Sequence, residues 1–73
     1  MNRIVLSEDE IKIIEKDRRG EFDEFLCSEE EKRLMMSVLD KAENLMHELE
    51  AYEESGDDLL AWFYDKFKEQ QSA

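Results

Sequence analysis

The sequence predicts an all-α fold, a small three-helix bundle around a long central helix with one extra helical turn. Three observations predict it. The 73 residues contain no proline and only two glycines, which disfavours turn-rich β architectures. The pattern Ser-x-x-Glu occurs at Ser7/Glu10 and again at Ser28/Glu31, each time ahead of apolar residues at helical spacing. Apolar residues make up 41% of the chain, too many for a disordered acidic tail. At this length residues 1–73 hold one domain.

Residues 1–6 form a partly apolar lead-in (Ile4, Val5, Leu6) whose structure, strand or coil, the pattern leaves open. Ser7 then caps a first helix over about residues 8–19. Glu10 completes the reciprocal cap, and Leu6 with Ile11 offers a hydrophobic staple. Glu8 and Asp9 suit the positive end of the helix dipole, Lys16, Arg18 and Arg19 suit the negative end, and Gly20 stops the helix. Phe22, Phe25 and Leu26 stand at i, i+3, i+4, so a helical turn with one apolar face is expected there.

Ser28 and Glu31 open the second helix, read over residues 29–54. Met35, Val38, Ala42, Leu45, Leu49 and Tyr52 alternate steps of three and four along it, and Leu39 and Met46 widen the stripe. Ser55-Gly56 ends it. A third helix over about residues 58–70, capped by Ser55 or Asp57, presents Leu59, Leu60, Phe63 and Phe67 as its core stripe with Trp62 and Tyr64 on the rims. A helix of about 26 residues spans about 39 Å, against a diameter of roughly 29 Å for a compact chain of this length. That mismatch predicts a homodimer, with Met35, Val38, Leu39, Leu45, Met46 and Leu49 shared between core and interface.

Composition narrows function by exclusion. Ten Lys and Arg against 21 Asp and Glu give a formal charge of −11, which repels nucleic acid and anionic membranes. Interleaved acids (Glu15, Asp17, Glu21) weaken the one basic cluster, Lys16, Arg18 and Arg19, as a phosphate site. His47, flanked by Glu43 and Glu50, lacks the second Glu-x-x-His that a di-iron bundle needs. The single cysteine, Cys27, sits among acids that raise a thiol pKa and has no partner for an internal disulfide. A free thiol, with no signal-peptide pattern and no membrane-length apolar run, fits a cytoplasmic setting. No phosphate loop, zinc spacing or triad is present. Neither an enzyme, a cofactor nor a metal is expected.

The acidic runs remain. Residues 21–31 carry six carboxylates and residues 43–58 carry seven, with no Lys or Arg in either stretch. Such a surface either solubilises the chain or steers it to a basic protein partner. The expected partner-binding residues are Glu50, Glu53, Glu54, Asp57 and Asp58, with Trp62 and Tyr64 as aromatic anchors.

The stretches Asp17-Arg-Arg-Gly-Glu-Phe, Phe25-Leu-Cys-Ser-Glu-Glu-Glu and Gly56-Asp-Asp-Leu-Leu-Ala-Trp-Phe-Tyr resemble short acidic helical proteins of Gram-positive phages and mobile elements. In size and charge the chain is also similar to phage inhibitors of host defence, including anti-CRISPR proteins and DNA mimics. The acidic runs point to a regulator or inhibitor that occupies a basic site on a partner protein, and the likeness in size and charge implies a phage-encoded inhibitor of a host nucleic-acid enzyme or defence complex, in the host cytoplasm. The alternative is a structural or accessory assembly module whose acidic surface only solubilises it.

Overall fold

A computed structural model describes residues 3–72 and is all-α: α1 (Glu8–Arg18), α2 (Glu29–Leu49), α3 (Tyr52–Ser55) and α4 (Leu59–Ser72), with no strand among the described residues. Both expected capping boxes form. The Ser7 hydroxyl accepts from the Glu10 N–H and the Glu10 carboxylate accepts from the Ser7 N–H; Ser28 and Glu31 repeat the arrangement. Each box satisfies two amides that a helix start leaves without partners.

The two long N-terminal helices also end alike. After α1, the Gly20 N–H donates to Asp17 O and the Glu21 N–H to Lys16 O, with Gly20 at φ 75°. After α2, the Glu50 N–H donates to His47 O and the Ala51 N–H to Met46 O, with Glu50 at φ 52°. This paired 5→2 and 6→1 bonding is the Schellman closure. The second helix therefore stops at Leu49, five residues before the expected Glu54. Ala51 tucks into the core beside partly buried Met46, and Tyr52–Ser55 become a separate turn. At 21 residues α2 is about 32 Å long, within the 34 Å long axis of the molecule. The excess over a compact diameter of roughly 29 Å thus shrinks from about 10 Å to about 3 Å.

The core forms where α1, α2 and α4 meet. Ile14, Val38 and Phe63 are the largest fully buried side chains, joined by Ile13, Met35, Ala42, Leu45, Leu60 and Phe67. The expected shared stripe divides: Met35, Val38 and Leu45 are buried, Met46 is half-buried, and Leu39 and Leu49 are exposed. Residues 3–7 form no regular element, yet Ile4 is buried and its N–H and C=O both bond the Gln70 side-chain amide, at 2.8 and 2.9 Å. The open question over residues 1–6 thus resolves as an irregular strap for residues 3–6; residues 1 and 2 lie outside the described residues.

α4 is capped by neither Ser55 nor Asp57. Asp58 Oδ1 accepts from the Ala61 N–H, while Ser55 is buried, its hydroxyl against Met46 Sδ. No helix among the described residues is long and apolar enough to cross a membrane.

Candidate functional site

The charge is arranged very differently at the two ends of α1. Near its start, Glu10 is buried between α1 and α2. Its carboxylate accepts from Lys41 Nζ through both oxygens at 2.8 Å and from the Ser37 hydroxyl at 3.0 Å. Burial alone would raise its pKa, but the Lys41, Ser7 and Ser37 hydrogen bonds together outweigh it and hold the carboxyl below its ordinary value. Lys41 also donates to Val5 O, which fastens the N-terminal strap to both helices. In the last turn of α1, Lys16 meets Glu31 of α2 at 2.7 Å.

Near the end of α1 the carboxylates collect around an open groove of about 1100 Å³ between the α1 C-terminus, the 20–26 loop, α2 and the start of α4. Its floor is apolar: Met35 and Leu39 from α2, Leu59 and Leu60 from α4. Asp17, Glu21, Asp23, Glu24, Asp57 and Asp58 rim it, and among the described residues no Lys or Arg lines it. Arg19 pairs with Glu21 on the exposed rim. Asp17 has its pKa raised, first by burial and then by the like charge of Asp58, with Arg18 only partly offsetting them.

The 20–26 loop shapes the lip of this groove. Asp23 Oδ1 accepts from the Phe25 N–H, and Asp23 O accepts from the Leu26 and Cys27 amides. The expected turn therefore exists, but its apolar face does not cover the core as its spacing suggested. Phe22 is half-buried, whereas Phe25 and Leu26 are 88% and 84% exposed. A short turn fastened through its own Asx bond has no long amphipathic helix behind it to press these side chains inward.

The sequence-predicted site residues separate. Asp57 and Asp58 line the groove; Glu50, Glu53 and Glu54 are exposed but do not. Glu54 instead pairs with Lys66 at 2.8 Å, which lowers its pKa. Trp62 and Tyr64 are only 7% and 8% exposed, so the structure corrects their expected role as surface anchors. α4 packs along a wider face than the Leu59/Leu60/Phe63/Phe67 stripe and draws both rims inward. Tyr64 stacks on Phe67, donates its hydroxyl to Glu15 and lies under the Arg18 and Lys68 cations. Trp62 Nε1 is buried on the side of the Glu54 carboxylate, whose pKa it helps to lower, but does not reach full hydrogen-bond geometry.

Among the described residues no group of three His, Cys, Asp or Glu could hold a metal ion. His47 Nδ1 contacts Tyr52 Oη at 3.1 Å instead. Cys27 is a free thiol whose Sγ approaches Glu24 O. Sequence reasoning missed Asp17, Phe25 and Leu26 as groove residues. The signal was the acidic run interrupted by Phe22, Phe25 and Leu26, which read as the apolar face of a helical turn. Compared with protein-family models, curated proteins and solved structures, the chain matches none.

Proposed function

We propose that this chain is a small acidic protein-binding regulator that occupies a basic site on a partner protein and acts as an inhibitor, in keeping with its resemblance to phage-borne proteins. The partner class is a host nucleic-acid enzyme or defence complex, whose anion-binding surface complements the chain's charge of −11. The observation that supports it is the gathering of carboxylates from three separate segments around one groove that no Lys or Arg among the described residues lines. A coat meant only to solubilise would intersperse both signs.

The test is capture from host lysate with the wild-type chain and with a Glu24→Lys/Asp57→Lys variant, both positions being exposed. The expected partner elutes as salt rises, is lost on charge reversal, and cross-links through a basic surface. A partner retained in high salt by both chains would sink the reading. A second reading, a self-assembling accessory module, draws on a different observation: Met36, Leu49 and Tyr52 are 67%, 43% and 54% exposed. Sedimentation equilibrium tests the second, which a clean monomer would overturn.

A further inference from the structure

We infer that the acidic groove is a receptor for a basic amphipathic helix of the partner protein, an inference that rests on the protein-binding reading and gives it a recognition mode. Charge alone would not need this shape. A polycation held only by the carboxylates would leave Phe25 and Leu26 in water beside the exposed Leu39 and half-buried Leu59. Apolar side chains standing 88% and 84% exposed within an acidic loop suit an occupant that brings apolar contacts and positive charge together.

A helix with apolar residues at i, i+3, i+4 and i+7 and Lys or Arg on its flanks has that chemistry. Strand addition would need a free sheet edge, and the described residues contain no strand. A second copy of the chain is the poorer occupant, because it would bring a further charge of −11 to a rim that already holds six carboxylates. Asp17 and Asp58 already repel one another across that rim, and a cation seated between them relieves the repulsion.

The probe is a synthetic 14-residue Leu/Lys peptide with leucines on one helical face. Its control is a peptide of the same composition with the leucines scattered around the helix. Each is titrated into the ¹⁵N-labelled chain by NMR and calorimetry. The expected result is binding about tenfold tighter for the amphipathic peptide, with shifts concentrated at residues 17–26, 35–39 and 57–60. A Phe25→Ser/Leu26→Ser variant, altered only at exposed positions, keeps its helical circular dichroism and loses about tenfold in affinity. Its remaining binding is salt-sensitive.

Equal affinity for the two peptides, or shifts centred on Glu50–Glu54, overturns the groove assignment while leaving the acidic-partner reading intact. If neither peptide binds at low salt, both fall. A homodimer that the Phe25→Ser/Leu26→Ser variant dissociates would show the groove filled by a second copy, which also overturns the inference.

Discussion

The two ends of α1 carry the same kinds of residue and use them in opposite ways. At its start, Glu10 is 6% exposed yet fully engaged, with Lys41, Ser37 and the Ser7 amide around it. At its end, Asp17 faces Asp58 across a groove lip on which Phe25 and Leu26 stand in solvent. The first arrangement satisfies a buried charge and ties three segments together. The second sets like charges against one another and leaves apolar surface in solvent, with Arg19 on Glu21 and Arg18 near Asp17 offsetting only part of the charge. Stability is concentrated at one end and unmet binding capacity at the other.

The largest effect should separate the core from the groove lip outright. Ile14 is wholly buried, whereas Phe25 is 88% exposed. Ile14→Ala is expected to lower the unfolding free energy by about 2–5 kcal/mol, a transfer loss plus a cavity, and to unfold much of a domain this small. Phe25→Ala should change it by less than about 0.5 kcal/mol. Urea titrations followed by circular dichroism measure both. Comparable losses would mean that the loop packs as part of the core, and the contrast between core and groove lip would collapse.

Next in size is the buried carboxylate. Glu10→Gln keeps the shape and an acceptor for the Ser7 amide but removes the ionic bonds to Lys41. The expected loss at neutral pH is about 1–2 kcal/mol, toward the lower figure because the Lys41 side chain is 40% exposed and screened by water. The folded pKa of Glu10 is lowered. Its ionised form therefore stabilises the fold above the ordinary glutamate value of about 4.3 and ceases to do so as pH falls through the folded pKa. The gap between wild type and variant should be full at pH 7 and close in acid. A gap independent of pH would show that packing, not charge, is what Glu10 contributes.

How far these differences can be read from sequence depends on whether a local signal decides them. The Ser7/Glu10 and Ser28/Glu31 boxes were legible because a capping box is complete within four residues. The end of α1 was legible because Gly20 advertises its positive φ. The end of α2 was not, although its bonding is the same, because Glu50 takes the left-handed position normally given to glycine. The heptad seam even continues to Tyr52. What decides the matter is tertiary: Ala51 enters the core and pins the closure. The groove was half legible. Its carboxylates stand in plain runs, but only the fold brings Asp17, Asp23 and Asp57 to one rim. Trp62 and Tyr64 were misplaced because α4 buries more of its circumference than a single stripe indicates.

The smallest effect tests the open end directly. Asp17 lies in the last turn of α1, where the helix dipole disfavours an anion, and its pKa is raised by burial and by Asp58. With the folded value above the unfolded one, stability from the protonated form is complete below about pH 3.9 and disappears as pH rises through the folded pKa. At neutral pH the ionised Asp17 is therefore a burden on the fold. Asp17→Asn should stabilise the chain at pH 7, by less than about 1 kcal/mol because the side chain is partly solvated, and the gain should vanish near pH 3. The same substitution removes a rim charge, so the amphipathic Leu/Lys peptide should bind more weakly and with a shallower salt dependence. Opposite signs in the two measurements are what a binding surface held at the expense of folding requires. A variant both more stable and unchanged in peptide affinity would leave Asp17 as a local misfit of the helix end, with no part in recognition.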